Sequence, residues 1–305
     1  MRGFRLQGSA DYAVLLLACL VLAACQSATP RSPAGSGAAQ SLANTSAPNA
    51  AFLTPSAFAV PAPSAEPQGY SELVVDLNSG RELHAENADE PRYPASLTKM
   101  MTLYLLFDAV RSGRVSLDTP LVISPNAARQ PPSKIGLRPG MTMTVQQAAR
   151  ALSVKSANDV AVAVAETVAG SEAAFVRQMN AKARALGMTR TRFVNPSGLP
   201  DTAQVTTARD MARLGQALIR HYPQYARYYQ AKTFFYNGRT YRATNNLLGR
   251  VEGVNGLKTG YIRLSGYNLV ATSDRAGRKR MVVVMGGKSE AARDREVTRL
   301  IETYY

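Results

Sequence analysis

Ser96 and Lys99 stand three residues apart in Ser96-Leu97-Thr98-Lys99. On a helix this spacing sets a hydroxyl and an amine on one face, a turn apart. A serine becomes a nucleophile only when a base takes its proton, and a lysine serves if burial or a neighbouring cation lowers its pKa. A helix start also offers free backbone N–H groups and a positive dipole end for a developing oxyanion. Two more motifs follow: Ser156-Ala157-Asn158, sixty residues on at an expected helix start, and Lys258-Thr259-Gly260, ahead of a strand-rich end. Singly, each has a plainer reading: a helix cap followed by a surface lysine, an N-cap serine, a turn with an exposed lysine. In this order and with these gaps, the three together point to serine acyl transfer. The catalytic candidates are Ser96, Lys99, Ser156, Asn158 and Lys258.

These motifs need a scaffold that closes long loops. Residues 71–77 alternate as a strand, Asn78-Ser79-Gly80 turns, and residues 81–86 return. Residues 97–110 are apolar on almost every side, which predicts a buried central helix. Thr144 with Gln147 makes a capping box for a helix to about Val154; residues 171–186 form another, ended by Gly187. Thr207 with Asp210 caps a third, ending near His221-Tyr222-Pro223. Asn237-Gly238 predicts a type I′ hairpin between residues 233–236 and 239–242. Two strands, 266–273 and 280–285, then precede a closing amphipathic helix over 289–304. Strands at both ends with helices between predict an α/β chain of the α+β type. One antiparallel sheet has its first and last strands as neighbours, flanked by helices and carrying a helical insert.

Ahead of this domain, Arg2 and Arg5 precede an uncharged apolar run over 12–24, too short for the roughly 20 residues of a membrane-spanning helix. Residues 1–25 therefore read as a signal peptide. Its end, Leu22-Ala23-Ala24-Cys25, resembles a lipobox whose cysteine becomes a lipidated N-terminus; ordinary cleavage nearby is the plainer alternative. Residues 26–69, rich in Ala, Ser, Pro and Gly, read as a disordered tether, and 70–305 as the catalytic domain. The other cysteine, Cys19, falls in the signal, which excludes a disulfide scaffold and a multi-cysteine zinc site. His84 and His221 have no metal-ligand spacing, so neither metal nor cofactor is expected. Of 36 Lys and Arg against 21 Asp and Glu, all but Arg2, Arg5, Arg31, Asp11 and Glu66 lie in 70–305. That domain carries the charge and expects an anionic partner. The longest basic run, Arg278-Lys279-Arg280, does not suit nucleic acid.

Longer stretches around the motifs carry a family resemblance. They are Pro94-Ala95-Ser96-Leu97-Thr98-Lys99-Met100-Met101-Thr102, Val154-Lys155-Ser156-Ala157-Asn158-Asp159, Phe193-Val194-Asn195-Pro196-Ser197-Gly198-Leu199, Thr207-Ala208-Arg209-Asp210-Met211 and Gly253-Val254-Asn255-Gly256-Leu257-Lys258-Thr259-Gly260-Tyr261. From about Tyr70 to Tyr305 the chain resembles the low-molecular-mass penicillin-binding proteins, the D-alanyl-D-alanine carboxypeptidases of serine peptidase family S11, with their β-lactamase/transpeptidase-like fold. The resemblance implies Ser96 as nucleophile on peptidoglycan stem peptides, Lys99 as its base kept partly neutral by Lys258, and Ser156 as proton relay. It implies Asn158 as orienter of Lys99 and substrate, and the N–H groups of Ser96 and Tyr261 as oxyanion donors. Thr259 would bind the terminal carboxylate, together with Arg293, or Arg295 close by, and Gly260 and Tyr261 would bind substrate beside it. β-lactams would acylate Ser96.

Two departures stand out. Ile262 replaces the second hydroxyl of a K-T-G-x-T pattern. Many relatives also continue into a C-terminal β domain with an amphipathic membrane anchor, whereas this chain stops at the closing helix, so a lipid on Cys25 would be the anchor. The implied place is the periplasm, at the outer membrane if the source is Gram-negative, because Gln26 is not the aspartate of inner-membrane retention. A class A β-lactamase shares the motifs, but no glutamate lies between Glu172 and Glu252 to serve its deacylation. D,D-endopeptidase action and a catalytically silent peptidoglycan-binding lipoprotein are the remaining alternatives.

Overall fold

A computed structural model describes residues 69–305, so the signal, the lipobox and the tether up to residue 68 lie outside the described residues. The chain enters on β1 (Ser71–Asp76) and β2 (Glu82–Glu86), then a 3-10 turn (Ala95–Thr98) leads into α1 (Lys99–Arg111). The insert runs through β3 (Pro120–Val122), α2 (Pro125–Arg129), β4 (Thr142–Thr144), α3 (Val145–Arg150), a π-helical turn (Ala151–Lys155) and α4 (Asn158–Ala169). After α5 (Glu172–Ala185), α6 (Ala208–His221) and α7 (Ala226–Gln230) comes the hairpin β5 (Thr233–Tyr236) and β6 (Arg239–Arg242). Three long strands, β7 (Val254–Ile262), β8 (Gly266–Arg275) and β9 (Arg278–Gly287), and α8 (Glu290–Thr303) close the fold.

The main sheet is antiparallel in the order β2-β1-β9-β8-β7. The first and last long strands are neighbours as expected, in register from Ser71↔Met285 to Asp76↔Arg280. Because side chains alternate, each central strand feeds two cores. Leu73, Val75, Met281 and Val283 join α1, α4 and α6 on one face, while Val74, Val282 and Val284 pack under Val297, Leu300 and Ile301 of α8 on the other. α1 is buried from Lys99 to Phe107, which explains its apolarity on every side. The Asn237-Gly238 turn has φ of 46° and 74°, both positive as a type I′ hairpin requires.

The differences from the expected elements fall at the motifs. The helix expected from Leu97 begins as a 3-10 turn, and the one expected to reach Val154 widens into a π turn after Arg150. Lys258-Thr259-Gly260 does not precede the strands: it lies inside β7, the sheet's edge. Gly253, Gly256 and Gly260 weaken the local strand signal there, and pairing with β8 from Val254↔Ser273 to Ile262↔Gly266 overrides it.

Candidate active site

Ser96 sits in the 3-10 turn, where neighbouring segments approach the backbone closely. A Cβ on Gly198, whose φ is 82°, would overlap the Ala95 carbonyl and stand 2.9 Å from Ser96 N. A Cβ on Gly260 would lie 3.0 Å from Pro94 O and 3.1 Å from Ser96 N. The motif glycine thus lets the edge strand lie against the turn that carries the serine.

Lys99 opens α1 and is fully buried. Its Nζ lies 3.1 Å from Ser96 Oγ and 2.8 Å from Asn158 Oδ1, and it also reaches the Ser197 carbonyl. Burial first, then the Lys258 cation, hold this amine well below the usual lysine range, and the Asp159 carboxylate only partly opposes them. A neutral Lys99 can donate its two hydrogens to Asn158 and Ser197, leaving its lone pair for the Ser96 proton. Lys258, buried on β7, donates to Thr259 O at 2.8 Å; burial and the Arg293 guanidinium lower its pKa to about 7.

The π turn aims the second motif. Ser156 ends it in the left-handed region at φ 60°, a strained backbone for a residue with a side chain. Its Oγ is buried and, among the described residues, has no hydrogen-bond partner. Asn158 then starts α4, with Nδ2 donating to Pro131 O at 2.9 Å and the backbone N to Ser133 O at 2.7 Å. Next to it, buried Asp159 accepts from the backbone N–H groups of Ile135, Gly136, Leu137 and Val160 at 2.8–3.3 Å. This carboxylate ties the 131–137 loop to the site. Asp159→Ala leaves those donors without their acceptor and should lose about 2–4 kcal/mol in chemical denaturation, with Asp159→Asn losing roughly half as much.

Ser96, Ser156, Thr259, Gly260, Tyr261 and Arg293 line one cleft of about 410 Å³, with Lys99, Asn158 and Lys258 buried beneath it. All nine candidates in the described residues thus meet at one place; Cys25 lies outside them. Arg293 is in the first turn of α8 and 2 % exposed, its Nη2 donating to Asp294 Oδ1 at 2.6 Å. Arg295 is exposed and does not line the cleft, so the geometry separates the two arginines. Ile262 does not line it either, so the departure at that position leaves the cleft wall intact.

Sequence reasoning missed Thr244, Lys155, Asn246 and Glu290 in the wall of this cleft. Thr244 Oγ1 and Thr259 Oγ1 share a hydrogen bond of 2.6 Å. No signal pointed to Thr244, because it lies between β6 and β7 where no periodicity operates. Thr244→Val should weaken acylation by a penicillin about 5- to 10-fold in stopped-flow measurements by freeing the Thr259 hydroxyl to turn, with Thr244→Ser close to the parent. Ser197 contributes only its backbone carbonyl, which no residue type announces; the quoted Asn195-Pro196-Ser197-Gly198 stretch was the available sign.

A cleft serine paired with a buried lysine under a lysine-bearing edge strand, on a five-stranded sheet with a helical insert, defines the fold of the penicillin-binding proteins and β-lactamases. The family model of peptidase S11, D-alanyl-D-alanine carboxypeptidase, matches residues 57–289, and the chain belongs to that family. It is 39% identical over 238 residues to D-alanyl-D-alanine carboxypeptidase DacA of Escherichia coli (strain K12), covering 76% of this chain and 59% of that relative. The chain thus spans about three-fifths of that relative's length. Among solved structures it is similar to penicillin binding protein 5 from Haemophilus influenzae, with TM-score 0.74 and 35% identity over 79% of this chain and 71% of that one. It is also similar to penicillin-binding protein D2 from Listeria monocytogenes in its cefotaxime-bound form, with TM-score 0.70 and 30% identity over 79% and 98%.

Proposed function

We propose that the protein is a serine D-alanyl-D-alanine carboxypeptidase that removes the terminal D-alanine from peptidoglycan stem pentapeptides. The observation that carries this reading is the fully buried Lys99 amine 3.1 Å from Ser96 Oγ, its charged form disfavoured by burial and by Lys258. Neutral Lys99 takes the Ser96 proton as Oγ attacks the carbonyl between the two D-alanines. The backbone N–H groups of Ser96 and Tyr261 receive the oxyanion. The C–N bond then breaks, Ser156 passes the proton to the leaving amine, and D-alanine departs. Water attacks the resulting ester, its proton goes to Lys99, and Ser96 is restored. Thr259, with Lys258 and Arg293 near, holds the terminal carboxylate. A β-lactam acylates Ser96 by the same first step, and the cefotaxime-bound relative supports that part of the reading.

The site of action is read from the N-terminal sequence: residues 1–25 export the chain, Cys25 carries lipid, and the enzyme works in the periplasm anchored to a membrane, the outer one if the source is Gram-negative. Among the described residues no helix is long and apolar enough to cross a membrane. Incubating the purified protein with a fluorescent penicillin and with a pentapeptide tests the activity. Covalent labelling and D-alanine release are expected, and the absence of both overturns the reading. Fractionating cells that express Cys25→Ser tests the anchor: protein that stays in the membrane fraction argues against the lipid.

A further inference from the structure

A second cavity, of about 650 Å³, adjoins the cleft and shares Tyr261, Tyr267 and Arg293 with it. Its remaining walls come from the β7–β8 turn, the end of β9, α8 and Tyr70 ahead of β1, and include Arg263, Lys288 and Glu296. A terminal D-alanine, held by its carboxylate in the cleft, leaves this larger volume unused. The cavity nonetheless has the features of a binding site. Tyr261 and Tyr267 are cross-strand partners whose rings stack at 4.3 Å and 30°, and Tyr261 is 53 % exposed, so one aromatic face is open.

The charge is one-sided. Arg293 is engaged by Asp294, and Glu296, the one carboxylate lining the cavity among the described residues, is already paired with Arg299. Arg263 and Lys288 are exposed and have no hydrogen-bond or ion-pair partner among the described residues. Two unpaired cations beside an open aromatic face select a carboxylate-bearing chain with an apolar surface over a neutral sugar.

We infer that this cavity is a secondary substrate subsite for a carboxylate-bearing stem peptide of cross-linked peptidoglycan, lying beside the peptide whose terminal D-alanine is removed. The inference rests on the carboxypeptidase reading and deepens it: the preferred substrate is a cross-linked peptide pair in place of a single stem. Two guanidinium or ammonium contacts to carboxylates give a tenfold range of affinity to work with.

The test uses Arg263→Ala/Lys288→Ala in the full chain, with kinetics on three substrates: a single pentapeptide, a sugar-free cross-linked peptide dimer ending in one pentapeptide, and a disaccharide-linked single pentapeptide. The expected result is a KM for the dimer raised about 5- to 10-fold with kcat held, and unchanged constants for both single stems. Penicillin acylation of the variant should match the parent, which shows that the fold and Ser96 are intact. Equal KM for the dimer in parent and variant overturns the subsite, and so does a loss confined to the disaccharide substrate, which would make it a sugar site. A parent that neither labels with penicillin nor releases D-alanine from the single pentapeptide instead overturns the underlying carboxypeptidase reading, so the two failures are distinguishable. Arg263→Glu/Lys288→Glu should raise the dimer KM further, since it sets like charges against the carboxylates.

Discussion

Ser96→Ala should eliminate covalent labelling by a fluorescent penicillin and lower D-alanine release by about ten-thousand-fold or more, the scale seen when a nucleophile is removed from a cooperating set. The geometry explains why nothing substitutes. Ser156, a residue of the cleft wall, is not among the groups that hydrogen-bond to the Lys99 amine, which among the described residues reaches Ser96 Oγ, Asn158 Oδ1 and Ser197 O. Alanine at position 96 removes one small polar atom from a partly exposed turn, so the variant should melt within a few degrees of the parent. A thermal melt and a gel-based labelling assay on the same preparation check both halves. Full labelling in Ser96→Ala would move the nucleophile elsewhere.

The second large effect concerns Lys99 and its partner. Lys99→Arg keeps a cation but cannot lose its proton at any working pH, so acylation should fall about a hundred- to ten-thousand-fold. In the parent, the acylation rate should rise with pH as Lys99 deprotonates, with an inflection well below that of a free lysine, because burial and Lys258 both disfavour its charge. Lys258 supplies the opposite limb. Its proton leaves at about pH 7, and with it the positive charge that draws a carboxylate-bearing substrate. The rate on such a substrate should therefore decline through about pH 7, while an analogue with a neutral ester there shows only the rise.

Lys258→Gln separates the two roles. It removes the cation that depresses Lys99, so the rising limb moves to higher pH, and it abolishes the falling limb. An unchanged pH profile in this variant would rule Lys258 out of both roles. Stability carries the same sign: Lys258 binds its proton less readily folded than unfolded, so stability should increase as pH rises from about 7 toward the range of an unfolded lysine. Lys258→Met should flatten that rise in denaturant titrations.

What was readable in the chain alone is the chemistry and the outline of the scaffold. Three motifs in order named the five catalytic candidates, because reacting groups are residue types and the local spacing of Ser96 and Lys99 follows from one helical turn. The hairpin at Asn237-Gly238 and the closing helix, with Val297, Leu300 and Ile301 on its buried face, were legible for the same reason: turn chemistry and periodicity are local. The state of the site was not local. That Lys99 is fully buried depends on α1 being enclosed by elements from the whole insert, and its lowered pKa depends on a lysine 159 positions away brought beside it by an edge strand. The strand itself was hidden by its glycines until β8 paired with it, and one of them, Gly260, is what admits the Ser96 turn. Arg293 and Arg295 differ by two positions in the sequence, yet the helix they share buries the first at the cleft and turns the second to solvent. Residue type sets which reaction is available; desolvation and close approach, which sum over distant parts of the chain, decide whether the groups are ready for it.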